Sequence, residues 1–193
     1  MRSLPLALLF AATLAAALAV PPAAAAPARP DAARLASALG AQPLRRLGGG
    51  SLAWGSLRNE VVVLHFWASW CAPCRRELPQ IQALHLDLAR SGGRVVAVSI
   101  DTDRRNAADF AARYAPSLPI YHDAPDGLAK TLDLPALPYP VVLDRDGAVL
   151  WAGGGADPKT RGHYTALAQR AAAAAPADAG SRPAAESTEG PSR

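Results

Sequence analysis

The 193-residue chain has two cysteines three positions apart, Cys71 and Cys74, directly behind the apolar run Val61-Val62-Val63-Leu64-His65-Phe66. That juxtaposition narrows the fold more than any other feature. A continuous β-branched and apolar run of this length reads as a central strand covered on both faces. The cysteines therefore sit where a buried strand gives way to the next element. Ile81, Leu84, His85 and Leu88 recur at helical spacing, which predicts a helix from the cysteine motif to about Arg90. Gly92-Gly93 ends it, and Pro79 inside it predicts a kink. A bridge across two intervening residues closes so small a loop that it removes little entropy from the unfolded chain. The pair suits thiol exchange better than stapling.

Further strands and helices alternate along the chain. A strand is predicted over Arg94–Ile100, a helix over Asp103–Tyr114, a brief strand over Leu118–Tyr121 and a short helix over Asp126–Leu134. Tyr139–Leu143, the turn Asp144-Arg145-Asp146-Gly147 and Ala148–Trp151 read as a hairpin, with the glycine in the left-handed position. An Ala-rich helix is predicted over Lys159–Ala175. Ahead of the first core strand, Asp31–Leu39 suggests a short helix, 48–50 a loop, and Leu52–Leu57 an edge strand or turn. The alternation argues for an α/β architecture, a central mixed sheet with helices on both faces. Residues 45–175 form the expected domain, 27–44 a linker or short helix, and the Pro-, Ser-, Gly- and Glu-rich stretch 176–193 a disordered tail.

The first 26 residues read as an address. Arg2 precedes the uncharged run Leu4–Val20, Pro21-Pro22 breaks it, and Ala23–Ala26 offers small residues for cleavage. The segment is a signal peptide or, since 17 residues lie at the lower edge of spanning length, an uncleaved anchor. Both place the rest of the chain outside the cytoplasm. The net charge is +4, and the basic residues, nearly all Arg, are scattered without an aromatic-interleaved stripe. That excludes nucleic acid as an expected partner.

In an exported protein a cysteine pair meets oxidising conditions. The thiolate is the attacking species, and a helix start, with its unpaired backbone N–H groups, favours negative charge. Cys71 is therefore the expected nucleophile and Cys74, one turn into the helix, the resolving thiol. Pro73 suits the first turn, where its missing N–H costs nothing. Trp67 is expected in the core and Trp70 at the surface beside Cys71.

The segment VVVLHFWASWCAPCRRELP resembles the active-site segment of the thioredoxin fold, and within it FWASWCAPCRRELP resembles exported thiol–disulfide oxidoreductases of the TlpA/ResA/CcmG type. VVAVSIDTD is similar to the next strand of that family, and LPALPYPVVLDRDG to its proline loop and following strand. The resemblance covers roughly residues 45–172. It implies a thioredoxin-like fold with a helix-strand-helix segment inserted before the cis-proline strand, for which the 64-position separation of Cys74 and Pro138 leaves room. Pro138 matches the family's cis-proline, with Pro135 and Pro140 as nearby alternatives. Its loop is then expected beside the cysteines, where the Leu137 backbone pairs with an extended segment of a partner.

The resemblance also implies a function. A periplasmic reductant of partner-protein disulfides needs no cofactor, because the Cys71–Cys74 pair carries two electrons. Disulfide-containing client proteins, of the cytochrome c maturation or metal-site assembly type, and a membrane thiol donor are its implied partners. Membrane contact is confined to the N-terminal segment if that is uncleaved. His65 stands where thioredoxins carry a buried Asp. It is either a satisfied core residue or a base near Cys74. Glu77 is either a solvated helix residue or a tuning group. Two other functions stand beside the main one: a copper or zinc module, for which His122 and His163 are the distal candidates, and a thiol peroxidase.

Overall fold

The computed structural model describes residues 32–41, 43–123 and 126–174. The expected signal peptide or anchor and the expected disordered tail lie outside them. Helix α1 spans Ala32–Ala41, strand β1 Leu44–Arg46 and strand β2 Ser51–Leu52, followed by a 3-10 turn at Trp54–Leu57. Strand β3 is Val61–Trp67, helix α2 Ala72–Ala89, strand β4 Gly93–Ser99, helix α3 Arg104–Tyr114, strand β5 Ile120–His122 and helix α4 Leu128–Thr131. Strands β6, Tyr139–Leu143, and β7, Val149–Ala152, form the hairpin, and helix α5, Pro158–Ala173, ends the described chain.

The seven strands make one sheet in the order β2-β1-β5-β4-β3-β6-β7. β3, β4 and β5 run parallel, while β6 pairs antiparallel with β3, and β1 antiparallel with β5. The sheet is therefore mixed, and the segment between β4 and β6 is helix, strand, helix: α3, β5 and α4.

Every residue of β3 is buried. The two-residue period of a strand sends neighbours to opposite faces. Val61, Val63 and Trp67 join one core with Leu78, Ile81 and Leu88 of α2, Phe110 of α3 and Tyr164 of α5. Val62, Leu64 and Phe66 join the other with Leu35 of α1, Leu128 of α4 and Tyr139 of β6. Burying six such side chains contributes on the order of 10 kcal/mol before the entropy of ordering them is subtracted. This is why a run with almost no polar alternation is stable only at the sheet's centre.

Several boundaries differ from the sequence reading. β1 is not foreshadowed: its segment, LRR, alternates too little to show. α4 has four helical residues, because Asp133 turns into the left-handed region at φ 52°. α2 continues through Pro79, which is exposed on the outer side of the helix. Gly93 opens β4 rather than merely ending α2. A Cβ there would stand 2.8 Å from the Val61 carbonyl oxygen, so the close approach of β4 to β3 demands glycine. Gly147, at φ 82°, takes the left-handed position of the β6–β7 turn.

Candidate active site

β3 carries the chain to Trp67, and a tight turn then delivers Cys71 as the N-cap of α2. The Cys71 N–H donates to the Ala68 carbonyl at 3.1 Å, closing the turn. The Cys74 N–H donates to Cys71 Sγ at 3.2 Å, so a sulfur does the capping that a Ser or Asp oxygen does elsewhere. The two cysteines are joined as a disulfide with Cα atoms 5.3 Å apart. Cys71 retains slight exposure and borders a groove, whereas Cys74 is sealed beneath it. Trp67 is wholly buried and Trp70 is 68% exposed, the most open of the large apolar side chains described.

The groove holds about 630 Å³ and is bordered by Trp70, Cys71, Pro73, Ile100, Leu134 and Leu137. Leu137–Pro138 is a cis peptide; the Tyr139–Pro140 bond is not among the cis bonds. The Gly155 N–H donates to the Pro138 carbonyl at 3.4 Å. No backbone hydrogen bond joins Leu137 to another described residue. The sequence-predicted residues Trp70, Cys71, Pro73 and Leu137 are thus gathered on one groove, with Pro138 buried directly behind Leu137.

On the α2 and α5 side of the sheet, in the core that also holds Cys74, lies a buried polar cluster. His65 and Glu77 are 0% and 1% exposed, and His65 Nε2 faces Glu77 Oε2 at 3.4 Å. Tyr164, from α5, donates its hydroxyl to Glu77 Oε1 at 2.6 Å. Burial pushes the Glu77 carboxyl up, but neighbouring His65, the Tyr164 hydroxyl and the Arg161 charge outweigh it and hold the group below its ordinary value. Burial and the Glu77 charge push the Tyr164 phenol far up, so it stays a donor. His65 Nδ1 and Trp67 Nε1 make no hydrogen bond to another described residue, and His65 Nε2 and Glu77 Oε2 meet only each other, outside good hydrogen-bond geometry. Buried polar atoms left unpaired this way are rare and costly. Their clustering next to a redox pair gives a carboxylate and an imidazole that can accept, hold or pass a proton. Glu77 is therefore not the solvated helix residue its neighbours Arg75 and Arg76 suggest.

A second network shapes the turn itself. Asp101, 1% exposed at the end of β4, accepts from the Ser69 N–H at 3.0 Å, the Ser69 hydroxyl at 2.5 Å and the Ser99 hydroxyl at 2.7 Å. It fixes the residue two positions before Cys71. The sequence reading missed both Asp101 and Tyr164. The signals were present: an acid directly after the buried strand VVAVS, and Tyr164, Ala168 and Ala172 spaced along one face of α5. His122 Nε2 lies 2.6 Å from the Asp101 carbonyl oxygen, and His163 lies against Trp151. Neither is directed to the cysteines by these contacts. Among the described residues, no group of three or more His, Cys, Asp or Glu is arranged to hold a metal ion, and no helix is long and apolar enough to cross a membrane.

Comparison with known proteins places this geometry. The Redoxin family model matches residues 24–168. The thiol-disulfide oxidoreductase ResA of Geobacillus thermodenitrificans is 32% identical over 92 residues, 48% of this chain and 53% of that protein. The chain thus spans about half the length of the curated relatives it matches. A Chlorobium tepidum structure assigned as a thiol:disulfide interchange protein DsbE superposes with a TM-score of 0.60 at 26% identity, covering 72% of this chain and 93% of that one. A secreted Mycobacterium tuberculosis disulfide oxidoreductase, homologous to DsbE of E. coli, gives 0.58 at 20% identity, covering 70% and 98%. The last shares the fold. Together they agree with the TlpA/ResA/CcmG resemblance of the cysteine segment.

Proposed function

This chain belongs to the Redoxin family, and on that premise we propose that it is a periplasmic thiol–disulfide oxidoreductase that reduces disulfides in partner proteins. The observation that carries the reading is the asymmetry of the pair. Cys71 caps α2 at the edge of an apolar groove, and Cys74 is buried below it.

In the reduced protein the Cys74 N–H and the start of α2 stabilise negative charge on Cys71 Sγ and so favour its thiolate. The thiolate attacks one sulfur of the partner disulfide. The S–S bond breaks, a mixed disulfide forms, and the partner's other sulfur leaves as a thiolate and takes up a proton. Cys74 then loses its proton and attacks Cys71 Sγ. The Cys71–Cys74 bond forms, and the partner departs with its second sulfur reduced. Two electrons have moved and no cofactor is needed. The proton from Cys74 leaves inside the protein, where His65 and Glu77, buried on the same side of the sheet, are suited to receive it by kind. A partner segment in the groove pairs with the unengaged backbone of Leu137 and rests against Trp70 and Pro73.

A membrane thiol carrier restores the dithiol. Clients of the cytochrome c maturation or metal-site assembly type are those that the TlpA/ResA/CcmG resemblance of the cysteine segment implies. The N-terminal segment read as an export signal supports the periplasm. Cys74→Ser tests the assignment. It should accumulate mixed disulfides through Cys71 that mass spectrometry identifies. Recovery of clients by Cys71→Ser instead would reverse nucleophile and resolver, and recovery by neither would end the reading.

A further inference from the structure

A second recess, of about 340 Å³, shares the active-site turn with the groove but none of its lining residues. Ser69 and Arg75 border it on the turn and α2, and Asn106, Asp109, Phe110, Arg113 and Tyr114 border it on α3. Its floor is aromatic: the Phe110 and Tyr114 rings lie 4.6 Å apart. The guanidinium carbon of Arg75, the residue after Cys74, stands 5.9 Å from the Phe110 ring and 5.7 Å from the Tyr114 ring. That of Arg113 stands 5.6 Å from the Tyr114 ring. Two guanidiniums therefore share one platform.

Stacking holds an Arg in place without using its N–H donors. Some surface arginines spend those donors on acids, Arg90 on Asp87, Arg94 on Glu60 and Arg105 on Asp103. Arg75 and Arg113 make no ion pair or side-chain hydrogen bond with a described residue. The one acid bordering the recess, Asp109, also acts on Arg105. Two cations thus face one carboxylate. The placement also works against the helix: α2 has no acid in its first turn, and Arg75-Arg76 follow directly, where the macrodipole disfavours positive charge. A local conflict of this kind, next to a reactive thiol, is a mark of recognition rather than of stability.

We propose that this recess binds an acidic side chain of the partner protein, carried close to the cysteine that Cys71 attacks, through the Arg75 and Arg113 guanidiniums. The inference rests on the disulfide-reductase reading and specifies its substrate class: disulfides flanked by Asp or Glu. A carboxylate matches the planar fork of Arg in a bidentate pair, and the aromatic floor keeps both forks from collapsing onto the surface.

The test uses the oxidised full chain and two short peptides with Ser in place of Cys, one flanked by Glu, the other by Lys. Calorimetric titration at low salt should show the Glu peptide binding about fivefold tighter, the combined effect of two exposed ion pairs. The preference should shrink at high salt, fall to about twofold in Arg113→Gln, where one of the two pairs remains, and survive largely in Arg113→Lys. Equal binding of the two peptides, or an unaltered preference in Arg113→Gln, overturns the proposal. Reduction of an uncharged small disulfide by the dithiol form, measured in parallel, separates the two readings. Reduction without charge preference sinks only the recess, and charge preference without reduction sinks only the reductase.

Discussion

Tyr164→Phe removes one oxygen from the interior and little else. The ring is wholly buried and stacks on Trp151 with centroids 5.5 Å apart, a contact phenylalanine keeps. The lost hydroxyl donates to Glu77 Oε1 at 2.6 Å. A hydrogen bond to a charged acceptor is worth about 1.5–3 kcal/mol, and leaving the acceptor buried and short of a donor favours the upper half. The expected loss near neutral pH is therefore about 2 kcal/mol. Its pH dependence is the sharper test. Glu77 has a folded pKa below its ordinary 4.5, with the Tyr164 hydroxyl among the causes. A carboxyl lowered by folding stabilises the native state above its unfolded pKa, and that contribution is lost as pH falls through the folded value. The stability difference between the wild type and Tyr164→Phe should accordingly be full above about pH 5 and narrow as Glu77 protonates. Urea unfolding of both oxidised proteins, followed by tryptophan fluorescence across the acid range, measures it. A difference under about 0.5 kcal/mol at neutral pH, or one that stays constant on acidification, refutes the charged, hydrogen-bonded Glu77.

Asp101→Asn keeps the shape but weakens the acceptor that holds Ser69; it should cost about 2 kcal/mol and speed amide exchange at Ser69, whose N–H donates to the carboxylate at 3.0 and 3.2 Å. Unchanged exchange at that amide would show that the turn is held by other means. His65→Ala should slow the resolving step in stopped-flow reduction of a disulfide substrate by about a hundredfold, the low end for a positioned proton acceptor, while leaving formation of the mixed disulfide unaffected. An unchanged second step removes His65 from the proton path and leaves Glu77 alone on it.

Periodicity and composition report burial, and burial is what made the core legible. Val61–Phe66 has no polar face, so it can only be a covered strand, and the helical spacing of Ile81, Leu84 and Leu88 sets α2 against it. The same logic fails for a three-residue edge such as β1, whose pairing with β5 is decided by chain segments far apart in sequence. At the site, Cys71 and Cys74 announce themselves because their spacing is local and their chemistry is unusual. Tyr164 does not. It is one aromatic in an Ala-rich helix, and its meaning appears only when α5 packs across β3 and brings a phenol to a carboxylate 87 positions away. Asp101 is similar: a turn-like acid by sequence, it becomes the anchor of the cysteine turn because β4 runs parallel to β3 and ends level with it, Ser99 opposite Trp67. Glu77 is the most instructive case. Flanked by Arg75-Arg76 it reads as part of a charged surface, yet the helical period that points Cys74, Leu78 and Ile81 inward points it inward too. Polarity at a position whose period demands burial marks chemistry that the fold has to accommodate. By that rule the His65–Glu77 pair calls for a reason other than packing, since an apolar pair of similar volume would be neutral or more stable, and the resolving step of His65→Ala is where a proton-transfer reason stands or falls.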